Sequence, residues 1–538
     1  MSTNKLQSDV VIVGGGIAGI VCALELLDSN LKIILVDRDE EKNFGGLAKE
    51  SFGGMFFVDT PHQRRFGIRD NTDLALSDWY SFAEFEESEI WQKKWAEQYV
   101  NLCRDEVYYW LKEKSISFFP VVHWVERGYL KPGNSVPRFH MVWGTGHGLA
   151  TTLIGKLQNH QNKENLTCLF QHKVNDLIFS GDVAVGVAGL DEASGTDFEI
   201  TAGNVVVAAG GIGGNIEKVK SNWYKPWGEP PETIINGSHK YALGELHDLV
   251  KTHGGEVTNL DKMWNYAAGV PHHKPNKPNH GLSLVPPKSA LWLDYKGRRL
   301  GPMPLISGYD TRYLVEKVCE QEKKYSWQVL NAKIAYKEFA ISGSEHNAAI
   351  RDKSWLGFIK IILFGNKRLV NEFLAENSSF VIGYSLDELA EKMNKITGEG
   401  DLDINFLKES VNNYDQNIER GPKYFNDEQL RRIAHLRQYR GDRLRTCKFQ
   451  KINDSKAMPL IAIREFILSR KSLGGIQTDL NSRVLSNKGI EIPGLYAVGE
   501  SAGFGGGGMH GIRSLEGTFL GGCVLTARMA ARCILQKN

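Results

Sequence analysis

Cysteine is sparse and scattered in this chain. The seven cysteines, Cys22, Cys103, Cys168, Cys319, Cys447, Cys523 and Cys533, form no CxxC pair and are odd in number, which argues against a disulfide framework, a cysteine metal site and dithiol redox chemistry. Neither sign of charge is in excess: 65 Lys and Arg against 63 Asp and Glu leave a formal net charge of +2. The concentrated basic field that nucleic-acid binding requires is therefore missing. Long apolar runs are missing too. LGFIKIILF, from Leu356 to Phe364, falls well short of the roughly 20 residues needed to span a bilayer, so no integral membrane segment is expected. The opening MSTNKLQSDVVIVGGG places Asp9 ahead of its apolar run, unlike a signal peptide, and a cytoplasmic location is expected. Repeats, low-complexity segments and a CxxCH haem site are also lacking.

What the chain does have is glycine, 56 of 538 residues, about 10% against an average near 7%. With no collagen-like period, that surplus implies close backbone approaches of the kind that serve ligands. At 538 residues and roughly 150 residues per domain, several domains are expected. DVVIV (residues 9–13) reads as a buried strand, GGGIAG as a turn, IVCALELLDS as a helix and LKIILVD as a second buried strand, a βαβ unit. Residues 71–115 show helical spacing rich in aromatics, assigned to packing. Short alternating strands run from Leu166 to Val207, and Val270 to Pro287 reads as a linker. From Lys288 to Asn453 charged helices take over, after which glycine-rich strand chemistry returns. The expected fold is α/β: a Rossmann-like nucleotide-binding domain in two parts, 1–285 and 454–538, interrupted by an α+β capping domain at 286–453.

Gly14, Gly16 and Gly19 form a GxGxxG between strand and helix, and Asp37 ends the next strand. In that context the glycines let backbone reach a pyrophosphate at a helix N-terminus, and the aspartate accepts hydrogen bonds from a ribose. NAD and FAD share this signature. Further glycines at Gly45, Gly46, Gly53 and Gly54, at Gly210 after the strand NVVVAAGG, and around Glu500 in IPGLYAVGESAGFGGGG suit the longer cofactor, FAD.

These motifs, with SLGG at Ser472 to Gly475 and the HG that trails the last of them, resemble the fumarate reductase and succinate dehydrogenase flavoprotein superfamily. The closer likeness is to its 3-oxosteroid 1-dehydrogenase branch, by the unfused build and the segment LWLDYKGRRL. The resemblance implies FAD lying extended along the first domain beneath a cap. It implies cofactor contacts from Gly14, Gly16, Ile17, Ala18, Gly19, Asp37, Arg38, Gly45, Gly46, Leu47, Ser51, Gly53, Gly54, Val174, Ala209, Gly210, Gly499, Glu500, Ser514, Leu515 and Thr518. Glu500 is the acid expected on the ribityl chain, and the segment Leu515 to Leu520 the helix start facing the flavin. Some relatives attach FAD through a histidine where this chain has Leu47, so non-covalent FAD is expected.

The implied chemistry is removal of two hydrogens from a CH–CH bond beside a carbonyl, with hydride passing to flavin N5 and a protein group handling the proton. The steroid enzymes place a tyrosine four residues before a carbonyl-binding glycine; counting back from Gly517 gives Arg513. Fumarate reductases keep an arginine in this loop, one place from Arg513, and a histidine where this chain has Lys471. His510 is a candidate substrate contact or a structural histidine, Lys471 a substrate contact or a solvated strand end, and Tyr309 the candidate for proton handling. His272, His273 and His280 show no acid nearby in sequence to complete a metal site, so no metal is expected. The leading expectation is an FAD-dependent dehydrogenase of a medium-sized apolar ketone with an external electron acceptor. A reductase of a small unsaturated acid and a non-catalytic flavoprotein subunit remain as alternatives.

Overall fold

The computed structural model describes residues 3–128, 130–301, 304–305 and 310–537. The chain opens with β1 (Asn4–Val13), whose last four residues are fully enclosed, then α1 (Ile17–Leu26) and β2 (Ile33–Val36). Unbroken apolar runs of this kind suit parallel strands covered on both faces. β3 (Leu166–Leu169), β4 (His172–Ser180), β5 (Val183–Asp191) and β6 (Thr196–Val207) extend the same sheet. β1 lies between β2 and β6, parallel to both, with Val13 opposite Val36 and Val207, so three strand ends meet beside the glycine turn. The β4–β5 hairpin is antiparallel and leans on β6.

The chain then builds a second sheet from β7 (Ile234–Asn236), β8 (Met263–Pro271), β9 (Gly281–Val285), β10 (Leu291–Leu293), β11 (Tyr325–Asn331), β12 (Ala340–Ile341), β13 (Phe380–Gly383) and β14 (Leu460–Ser472). β14 is its spine and pairs with β7, β8, β11 and β13. Finally β15 (Arg483–Leu485) and β16 (Glu491–Ala497) return to the first sheet beside β6. The last helix, long and apolar enough by composition to cross a membrane, packs instead against α1 and is largely buried in the first core.

Two expectations need adjusting. The boundaries at 285 and 453 cut through the second sheet, which takes β7, β8 and β9 from before the first and β14 from after the second. The change in composition at Lys288 reports the outer helices, whereas the sheet beneath them is as apolar as the first domain. Nor is Val270 to Pro287 a linker: β9 pairs back on β8, with Val270 opposite Leu282 and Pro271 opposite Gly281. Only the polar stretch between them is loop, the turn of a hairpin.

Candidate active site

The three fingerprint glycines do different things. Gly14 has φ +116°, and a Cβ there would meet the Ala208 carbonyl oxygen at 2.3 Å; a Cβ on Gly19 would meet the Gly14 oxygen at 2.0 Å. Both are needed for the strand–turn–helix packing. Gly16, the residue before α1, is the opposite case: a Cβ there meets nothing within 4 Å. Bare backbone facing open space at a helix N-terminus is what a pyrophosphate requires. Gly46 and Gly210 repeat the pattern, with nearest neighbours at 3.5 and 3.7 Å.

These glycines face a cavity of about 750 Å³ that strand ends of the first domain and the cap line together. Gly14, Gly16, Ile17, Ala18, Asp37, Arg38, Gly46, Leu47, Ser51, Gly53, Gly54, Val174, Ala209, Gly210 and Glu500 all border it. Asp37 takes hydrogen bonds from the backbone N–H of Gly15 and of Asp39, the latter at 2.7 Å, and burial pushes its carboxyl pKa up against them. Glu500 accepts the Ser472 N–H at 2.9 Å and is pushed up by burial in the same way. Arg38 lies over the Tyr241 ring at 4.5 Å while pairing with Glu192. The remaining expected contacts lie behind the wall. Gly19 and Gly45 pack on neighbouring chain, and Gly499 donates to Thr526 Oγ1 at 2.9 Å. Ser514, Leu515 and Thr518 are buried at the start of the last helix, α3 (Thr518–Lys537). The donor set and the open glycine cradle fit an extended dinucleotide such as FAD.

Over this cradle lies a polar cluster in a mostly apolar wall that includes Phe119, Met141, Ile350 and Phe358, with Asp442, Arg445 and Arg470 among its charged members. Neighbouring β8 and β14 set Trp264 opposite Lys471 and Tyr266 opposite Leu468, with an irregular register between the two pairs; such bulges re-aim side chains. Tyr266 donates its hydroxyl proton to Glu516 Oε1, which also accepts the Trp264 indole N–H at 2.9 Å. Lys471 Nζ donates to the Tyr266 oxygen at 3.2 Å and sits 3.9 Å from the centre of the Phe519 ring. Burial raises the Tyr266 phenol well above its ordinary pKa, with Glu516 adding to the effect, and lowers Lys471 to about 8. Glu516 and Gly517 precede α3, whose first-turn N–H groups have no partner within the helix. Tyr266, Glu516 and Trp264 escaped sequence reasoning.

Of the residues singled out for catalysis, Lys471 and Gly517 border the cavity. Arg513 does not: its guanidinium is paired with Glu84 and, at 3.4 Å, with Asp310. His510 is wholly buried, stacked on Trp79 at 5.8 Å and bonded to Thr518 Oγ1 at 2.8 Å. Burial depresses its pKa to about 3, so the ring is neutral, as for a structural histidine. Tyr309 lies outside the described residues. The histidine loop also differs from expectation, because acids distant in sequence do reach it. Glu345 comes within 3.5 Å of His272, while Glu372 and Glu376, one turn apart on a helix, come within 3.6 and 3.5 Å of His273. His272 accepts the Lys274 N–H on Nδ1 at 2.9 Å, which leaves its Nε2–H to point at Glu345.

The low Lys471 pKa gives a pH prediction. A lysine held at about 8 is cationic below that value and loses its charge as pH rises through it. The cation beside the Tyr266 oxygen favours negative charge there, so turnover of the flavin-loaded protein should fall as pH rises through about 8. Lys471→Met should lower the rate and flatten that limb; an unchanged profile in the variant would refute the assignment.

Comparison with known proteins agrees with this geometry. A family model described as an FAD binding domain matches residues 9–520. A KsdD-like steroid dehydrogenase of Mycobacterium tuberculosis is 40% identical over 98% of this chain and 95% of its own. Among solved structures, the 3-ketosteroid delta1-dehydrogenase from Sterolibacterium denitrificans, in complex with 1,4-androstadiene-3,17-dione, superimposes with TM-score 0.70 at 16% identity, covering 99% of this chain and all of that one. A flavocytochrome c3 fumarate reductase gives 0.69 at 19%, covering 99% and 78%. Those two likenesses speak to the fold, which is that of capped FAD-binding flavoproteins. With the model matched from strand β1 into α3, and identity sustained over nearly its full extent, this chain belongs to the FAD binding domain family.

Proposed function

We propose that this protein is an FAD-dependent dehydrogenase that removes two hydrogens from a CH–CH bond beside the carbonyl of an apolar, steroid-like ketone. The observation that carries the reading is the Tyr266–Glu516–Lys471 cluster, set in a mostly apolar wall of the same cavity that the nucleotide cradle borders. The steroid-like character comes from the relative that is 40% identical.

When bound, FAD supplies the hydride acceptor. The chain itself has to move the proton and hold the oxygen. Loss of a proton from the carbon next to the carbonyl is assigned to the Tyr266 oxygen, which passes its own proton to the Glu516 carboxylate along the existing hydrogen bond. Lys471 steadies the negative charge that crosses the phenol oxygen. Charge gathering on the substrate carbonyl meets the N–H groups at the start of α3, just after Gly517, whose φ of +99° and close packing on the backbone of Met55 and Phe56 fix where that helix begins. Arg513, the cation a small dicarboxylate would call for, is already held by Glu84 and Asp310, which favours the ketone reading.

We further infer that FAD is held without a covalent bond, since Leu47 offers no nucleophile at the cavity wall. Acid precipitation should release yellow cofactor into the supernatant; colour retained in the pellet would refute this. For the reaction, anaerobic mixing with a 3-oxosteroid should bleach the oxidised flavin band and be reversed by a dye acceptor. No bleaching with 3-oxosteroids, together with return of the oxidised band when reduced enzyme meets fumarate, would sink the proposal.

A further inference from the structure

The helix α2 (Trp355–Phe364), WLGFIKIILF, presents a contradiction that the active site does not resolve. A helix with one lysine among ten otherwise apolar residues belongs in a core or at lipid, yet none of its ten residues is buried. Leu356, Leu363 and Phe364 are 76%, 69% and 72% exposed. Its form is well specified: Ser354 caps it by accepting the Gly357 N–H at 3.1 Å, and Gly365, at φ +77°, ends it. One side holds it to the protein, where Trp355 stacks on Trp143 at 4.3 Å and Phe358 meets Phe119 at 5.0 Å. Leu356, Lys360, Leu363 and Phe364, spaced three and four apart, share the other side.

Charge along the helix and its flanks is mostly positive, with Asp352 and Glu372 the nearest acids in sequence. From Lys353 to Asn371 the chain carries Lys353, Lys360, Lys367 and Arg368, all exposed, and no acidic residue, although the protein as a whole is nearly neutral. The helix also stands at the mouth of the cavity. Leu363 and Leu444 line that cavity and are at the same time 69% and 63% exposed, which residues can do only at a rim.

We propose that α2 and its flanking cations are a docking surface for an anionic phospholipid bilayer, turning the mouth of the cavity toward the lipid. At ten residues the helix cannot span a membrane. It suits the interfacial mode, in which apolar side chains enter the acyl boundary while lysines reach back to phosphate. Opposite charge supplies attraction that a neutral bilayer would not. Passage of an apolar substrate from lipid into the cavity rests on the function proposed above; the docking does not.

Vesicle flotation of the full-length, FAD-loaded protein tests this without any substrate, so failure of docking and failure of the dehydrogenase reading are separable. The protein should float with phosphatidylcholine–phosphatidylglycerol vesicles, at least ten-fold more than with phosphatidylcholine alone, and less in high salt. The double variant L356S/F364S alters exposed residues that do not border the cavity; it should lose at least ten-fold of the bound fraction while keeping flavin absorbance and circular dichroism. K360E/K367E should lose binding to the anionic vesicles in the same way. Wild type that stays with the unbound fraction, or a double variant that floats as well as wild type, overturns the proposal. So does sedimentation velocity that shows a wild-type dimer split by L356S/F364S without any vesicle binding, which would assign the helix to a second copy of this chain.

Discussion

Gly16→Val protein should fold normally and purify colourless. The backbone at Gly16 is extended, with φ −73° and ψ −178°, which a β-branched residue adopts without strain. A Cβ there meets no atom of the chain within 4 Å, so folding has nothing to lose. Whatever occupies the space beside that Cα in the working protein is displaced, and at a dinucleotide fingerprint this is the pyrophosphate. Flavin affinity should drop by about 100-fold or more, equivalent to ~2.7 kcal/mol, with circular dichroism unchanged. Gly19→Ala is the internal control. Its new methyl would sit 2.0 Å from the Gly14 oxygen, so it should reduce the yield of folded protein itself. Flavin retained at wild-type affinity by Gly16→Val would refute the cradle.

Tyr266→Phe should leave flavin content and fold intact and lower kcat by about 10² to 10⁴, the range for removing a positioned proton-transfer group. The phenol hydroxyl makes the hydrogen bonds to Glu516 and Lys471, so its loss removes the relay, while the ring stays packed with Lys471 Nζ 5.4 Å from its centre. Glu516→Gln sharpens the test. A glutamine oxygen can still accept from Tyr266 and from the Trp264 indole, which preserves the geometry but not the capacity to take a proton. It should show a loss of kcat similar to that of Tyr266→Phe, with KM little changed. If Tyr266→Phe turns over at the wild-type rate, the proton is handled elsewhere.

How much of this could be read from the chain depends on the distance over which each feature is specified. The β1–α1–β2 unit and Asp37 are local: alternation of apolar strand, glycine turn and apolar helix declares them within 30 residues. The glycine loops and Glu500 were legible for the same reason, and Lys471 and Gly517 came from their position beside motifs. Tyr266 and Glu516 are different. They stand 250 residues apart, and their meeting is set by a bulged register between β8 and β14 and by where α3 begins, neither of which leaves a mark in composition. The histidine loop fails for the same cause, since Glu345, Glu372 and Glu376 arrive from other elements. Domain limits were misplaced because the charged outer helices change the composition where the sheet below does not change.

The 13-residue strand β14 ties the two halves of the molecule together. It runs unbroken from the middle of the cap to Ser472, whose N–H is fixed on Glu500 in the cradle. Its four ladder partners all belong to the second sheet, so that sheet holds together as one body. Lys471 sits one residue before that anchor and opposite Trp264 of β8, so the strand that builds the cap sheet also carries the lysine to the edge of the cradle, and a shift of either part is felt at both.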